Sequence, residues 1–173
     1  MSSDLTFVYV TYIATTPEKL WQALTDGSFT QAYWFDTRID SDWRVGSRVT
    51  FWRDGALSDS GEVLEYTPPR RLSYTWHVEF HEEFRREKPS RVTFELEPAA
   101  DAVKLTIVHD QFEPGSKVFA AINGGWPKVL ASLKSFLETG RGLAVAGCEA
   151  AKPAQDEAIA RAQRGAASAR ARG

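Results

Sequence analysis

The chain reads as a single α+β domain, a curved antiparallel sheet laid against a long kinked C-terminal helix, with short helices after the first strand. Three observations predict it. Between residues 36 and 110 apolar and polar residues alternate with period two, most cleanly at Leu72, Tyr74, Trp76, Val78 and Phe80 against Ser73, Thr75, His77 and Glu79, the pattern of strands with one buried face. After Pro114-Gly115 the period changes, and Trp126, Val129, Leu130, Leu133, Phe136 and Leu137 recur at helical spacing to give a broad apolar face. Finally, 173 residues suffice for one domain with a substantial core, and all six Trp precede residue 140, so the domain is expected at 1–140 with 141–173 as an appendage.

Taken in order, Leu5 to Ile13 is rich in β-branched and aromatic residues and predicts a first strand buried on much of both faces. Thr15-Thr16-Pro17-Glu18 supplies an N-cap hydroxyl, a proline for the first helical position and an early acid, so a short helix carrying Leu20, Trp21 and Leu24 follows and ends near Asp26-Gly27. Ser28 to Tyr33 adds a turn or two before an extended region begins at Trp34-Phe35. Gly46, Asp54-Gly55, Pro68-Pro69 and Ala99-Ala100-Asp101 punctuate an antiparallel meander,. Val92, Phe94 and Leu96 repeat the alternation, as do Val103, Leu105 and Ile107. The charged segment from His81 to Ser90 is expected as a solvated hairpin connection or strand extension. In the last helix Gly124-Gly125-Trp126-Pro127 weakens the backbone, glycine by roughly 1 kcal/mol and proline by about 3 kcal/mol relative to alanine. Packing on the sheet must therefore hold that helix, and a cavity between the two is expected. The tail is Ala-, Arg- and Gly-rich and too poor in large apolar residues to offset ordering, so it is expected to be disordered.

Composition excludes some functions. The net charge of -2 divides into 15 Lys+Arg against 20 Asp+Glu over residues 1–140 and 6 against 3 over 141–173. An acidic body lacks the basic patch that nucleic-acid binding demands. The one Cys, Cys148, allows no intrachain disulfide, which fits a reducing compartment. No leader pattern and no apolar stretch of membrane-spanning length is evident, so a cytoplasmic protein, monomer or homodimer, is expected.

No Gly-rich phosphate loop, Cys/His cluster or paired His is present, so no cofactor, nucleotide or metal is expected. His77 and His81 read as surface residues. His109 continues the inward parity of Leu105 and Ile107, where a buried imidazole needs a partner. It either serves a function or ties the strand end to the loop at Asp110. Trp34, Tyr74, Trp76, Phe94, Trp126 and Leu130, with His109, are the candidates to line a ligand cavity; plain core is the commoner use of such rings. Glu62, on the parity opposite to Val63, is an inward candidate whose pKa burial would raise.

Three segments carry a resemblance: Ala14-Thr15-Thr16-Pro17-Glu18-Lys19-Leu20-Trp21-Gln22-Ala23-Leu24-Thr25-Asp26; Gly61-Glu62-Val63-Leu64-Glu65 with Pro69-Arg70-Arg71-Leu72-Ser73-Tyr74-Thr75-Trp76; and Gly124-Gly125-Trp126-Pro127 followed by Leu133-Lys134. In this order and spacing the chain, over residues 5–140, resembles the bacterial AHSA1-like family. These proteins are similar to the C-terminal domain of the activator of the ninety-kilodalton heat-shock chaperone's ATPase, within the START-like SRPBCC superfamily. The resemblance implies a helix-grip fold around a variable hydrophobic cavity and no shared catalytic residues. It favours a binding module for a small apolar or amphipathic ligand. A second reading is a co-chaperone acting on a chaperone ATPase by contact, although the chaperone-binding N-terminal domain of the eukaryotic activator has no counterpart here. A third is a cyclase- or hydrolase-type enzyme, for which only His109 and Glu62 offer an acid or base.

Overall fold

The structure is a computed structural model and describes residues 4–145. β1 (Phe7–Ile13) leads into α1 (Pro17–Thr25) and α2 (Gly27–Tyr33). A meander follows: β2 (Arg38–Ser41), β3 (Arg48–Arg53), β4 (Ala56–Thr67), β5 (Arg71–Val78), β6 (Ser90–Ala99) and β7 (Ala102–Asp110). A short α3 (Glu82–Arg85) links β5 to β6, and α4 (Lys117–Thr139) closes the fold. Among the described residues the strands form one antiparallel sheet in the order β1-β7-β6-β5-β4-β3-β2, with α4 against its inner face.

Local chemistry sets the helix ends. Thr16 accepts a hydrogen bond from the Lys19 amide at 3.3 Å ahead of Pro17, and Asp26 both ends α1 and caps α2 through the Ser28 amide at 2.8 Å, the roles expected of short polar side chains at helix N-termini. α2 ends in a turn at Trp34, Phe35 and Asp36, the last two at φ 47° and 62°, so the extended region begins four residues later than the sequence suggests. Ser116 caps α4 by accepting from the Phe119 amide at 3.0 Å, and Gly140 at φ 81° terminates it, a left-handed residue at a helix end being a common glycine role. α4 runs as one element through Gly124-Gly125-Trp126-Pro127. Its buried Val118, Trp126, Val129, Leu130 and Leu133 supply the tertiary packing that outweighs the local propensity cost.

The segment from residue 81 to 90, expected as a solvated hairpin connection or strand extension, contains α3, with Phe84 packed against the core. β1 also departs from expectation. Val8, Val10 and Tyr12 are 57%, 47% and 54% exposed, because β1 is an edge strand of a sheet covered by α4 on one side. Its β-branched composition reflects strand propensity on the open face. Past Gly140 the chain stays against the domain, with the Leu143 amide donating to Ser132 Oγ at 2.9 Å. Of the tail expected to be disordered over 141–173, residues 141–145 are described and run against the domain, while 146–173 lie outside the described residues.

Residues paired across an antiparallel ladder share a face, so register generates apolar rows. One row runs Phe7, His109, Val92, Tyr74, Val63. Another runs Ile39, Phe51, Asp59, Val78. Each apolar row thus carries one polar residue, His109 in the first and Asp59 in the second. Between these rows β4 bends onto β5 at Gly61, where a Cβ would stand 1.8 Å from the Thr75 carbonyl oxygen; only a residue without a side chain permits that approach. The Thr75 hydroxyl compensates by accepting from the Glu62 amide at 2.9 Å.

Candidate functional site

A cavity of about 340 Å³ opens between the β3–β5 end of the sheet and the N-terminal half of α4, at the lower end of the range of small-molecule sites, about 300–1,000 Å³. The sheet contributes Arg53, Asp59, Trp76 and Val78, with Asp54 in the adjoining β3–β4 turn. Trp34 and Phe35 come from the turn after α2, Phe80 and Phe84 from the α3 connection, and Val118, Ala121, Ile122, Gly125, Trp126 and Val129 from α4. Its floor is a triangle of indoles. Trp34 stacks on Trp76 at 5.9 Å and 14°, Trp126 meets Trp76 edge-on at 5.7 Å, and Trp34 and Trp126 are 5.4 Å apart. Such offset and edge-to-face contacts are the favourable arrangements for aromatic rings. Gly125 lies on the lining with open space where a Cβ would project, whereas the open space at Gly124 is on the exposed side of the helix.

Of the residues the sequence nominates, Trp34, Trp76 and Trp126 line this cavity, while Tyr74, Phe94, Leu130 and His109 are buried outside its lining. His109 belongs to a closed hydrogen-bond chain. The Trp126 indole N–H donates to His109 Nδ1 at 3.0 Å, which leaves Nε2 to carry the proton and donate to Ser90 Oγ at 2.7 Å, and Ser90 Oγ donates to the Trp76 carbonyl at 3.3 Å. Burial pushes the His109 pKa down to about 3, against a smaller opposing pull from Asp110. The imidazole is therefore neutral, and it joins α4 to β6 and β7. Glu62 is exposed, since the inward parity of β4 belongs to Val63, Gly61 and Asp59.

Asp59 is the acid that sequence reasoning missed. It is 8% exposed and its pKa is raised to about 6, chiefly by desolvation, while the neighbouring Ser58 hydroxyl, the Arg53 charge and the Trp76 indole oppose the rise and Glu79 adds to it. A bulge between β3 and β4 sets two residues of β4 against one of β3 just before it, a device common beside functional sites. At the rim Arg53 donates from Nε and Nη2 to Thr37 Oγ1 at 3.2 and 2.9 Å. The site thus offers an apolar aromatic slot, one buried carboxyl group and one guanidinium.

An antiparallel sheet gripping a long C-terminal helix, with an apolar cavity between them, defines the helix-grip class of START-like proteins. Residues 14–138 match the family model described as activator of Hsp90 ATPase homolog 1-like protein, and the chain belongs to that family. Curated proteins offer no match. Among solved structures, protein MLL2253 from Mesorhizobium loti is 30% identical, with 76% of this chain and 96% of that chain covered at a TM-score of 0.66. The Aha1 dimer from Colwellia psychrerythraea shares the fold at 24% identity, covering 79% and 98% at 0.66. PFC0360w, an HSP90 activator from Plasmodium falciparum, does so at 22% identity, covering 70% and 86% at 0.59. No helix among the described residues is long and apolar enough to cross a membrane.

Proposed function

We propose that the protein is a binding module that shelters a small apolar or amphipathic molecule between the sheet and α4, in a reducing, cytoplasmic setting. The observation that carries this reading is the indole-floored cavity roofed by Gly125, where the helix gives up stability and leaves open volume. N-phenyl-1-naphthylamine should bind the native protein in the micromolar range, quench tryptophan emission and raise the melting temperature by mass action. Trp76→Phe should alter its affinity by roughly tenfold, as expected for a wall residue. Failure of the probe to bind the native chain overturns the reading.

A second reading, contact with a chaperone ATPase, is supported by the family description and by the name of the Plasmodium neighbour. Its test is direct: the purified chain, added to the Hsp90 of its own host, should raise the ATPase rate. An unchanged rate removes it.

A further inference from the structure

Asp59 stands in a row with Ile39, Phe51 and Val78, with the Trp76 ring beside it. A carboxylate removed from water is costly unless a cation or several donors meet it. Here no neighbour meets it fully. Arg53 commits Nε and Nη2 to Thr37, and the Ser58 hydroxyl donates to the Phe51 carbonyl at 3.1 Å. Ser58 and the Trp76 indole lie near enough to favour the ionised form, yet neither completes a hydrogen bond of ordinary geometry to it. The carboxylate therefore keeps acceptor capacity turned toward the cavity. An ionised Asp can only accept, so the missing partner is a donor, and the stacked Trp34 and Trp76 rings beside it suit a flat apolar body.

We propose that Asp59 is the polar anchor of this cavity, and that the occupant is a flat apolar molecule bearing a hydroxyl or amine group that donates to Asp59 while its ring lies against Trp34 and Trp76. This rests on the ligand-binding reading above and adds the chemistry of the ligand's polar end. An anionic head is disfavoured, because it would face the carboxylate inside a site that screens poorly. A desolvated acid of this kind costs the fold stability, as groups that serve a site often do.

Three probes that share a naphthalene body test the inference on the full chain by calorimetric titration: 1-naphthylmethanol, 1-methylnaphthalene and 1-naphthylacetate. The alcohol should bind at least about tenfold more tightly than the hydrocarbon, and the acetate most weakly. Asp59→Leu should erase the advantage of the alcohol while the hydrocarbon still binds, and Asp59→Asn should strengthen the acetate by about tenfold or more. Equal affinity of alcohol and hydrocarbon for the native chain overturns the anchor and leaves the cavity reading standing, as does an alcohol preference that survives Asp59→Leu. If N-phenyl-1-naphthylamine binds and none of the three does, the anchor also falls. If no probe binds at all, both readings fall together.

Discussion

His109 on β7 and Asp59 on β4 are each the one polar member of an apolar row on the same face of the sheet. At His109 both ring nitrogens have partners, the pKa is driven down, and the group is neutral and fully satisfied. At Asp59 the Ser58 hydroxyl is turned to the Phe51 carbonyl, and Arg53 and the Trp76 indole only partly offset the loss of water, so the pKa is driven up and near neutral pH a largely ionised acid faces open volume. Desolvation is the dominant cause in both. The difference lies in what the neighbours do about it, and it separates a polar group that fastens the fold from one that is free to meet a ligand.

The fastened end should be the more costly to break. Trp126→Ala removes the indole from the junction of α4 and the sheet and takes away the donor to His109 Nδ1; chemical denaturation should show a loss of about 3–5 kcal/mol. A loss below about 1 kcal/mol would mean that the helix is not held at this point.

The free end should reveal itself through pH. In the unfolded chain Asp59 titrates near 3.8 and in the native state at about 6, so between these values the native state holds the extra proton. Its contribution is most favourable below pH 4, declines as pH rises through 6 and is flat beyond, a span of roughly 3 kcal/mol by linkage. Asp26 and Glu79, whose pKa values are lowered by hydrogen bonds from Ser28 and His77 respectively, act in the opposite sense at acid pH. The difference between native chain and Asp59→Asn isolates the site: the variant should be the more stable at pH 7, and the gap should close toward pH 4. A constant gap across that range would remove Asp59 from the list of desolvated acids.

The smallest effect concerns the helix between the two ends. Gly124→Ala should stabilise by about 1 kcal/mol in denaturation, since the added methyl meets open space. It should leave probe binding unchanged, whereas Gly125→Leu, on the lining, should weaken binding. If both substitutions act alike, the open turn has no particular relation to the cavity.

The sheet–helix architecture was legible because the strong period-two runs at residues 72–80, 92–96 and 103–107 and the helical run from 126 to 137 each place their large apolar residues on one face. Trp76 and Trp126 were legible for the same reason, whereas Trp34, which lies in the turn after α2, was nominated only as a large aromatic outside any periodic run. Asp59 was within reach, since counting back from Val63 by two gives Gly61 and then Asp59. It was missed because Ser58, Asp59 and Ser60 contain no large apolar residue to announce the parity, and Glu62 drew attention instead. The satisfaction of His109 was not readable, because Ser90 and Trp126 reach it only through the register of β6 with β7 and the rotation of α4. The exposed stripe of β1 was likewise invisible to composition, as edge position is decided by distant pairing.

That distant pairing shapes how the protein forms. β1 closes against β7, from Phe7 opposite His109 to Ile13 opposite Val103, across an intervening span of about 90 residues, so the first strand is synthesised long before its partner. Contacts of such long sequence separation are closed late and slowly. Until then Phe-Val-Tyr-Val-Thr-Tyr-Ile, free of charge and proline, is a sticky segment of the kind that seeds intermolecular β-pairing. Substitutions that slow the closure of β1 on β7 should therefore lower the refolding yield as well as the folding rate, which refolding at increasing chain concentration would read out.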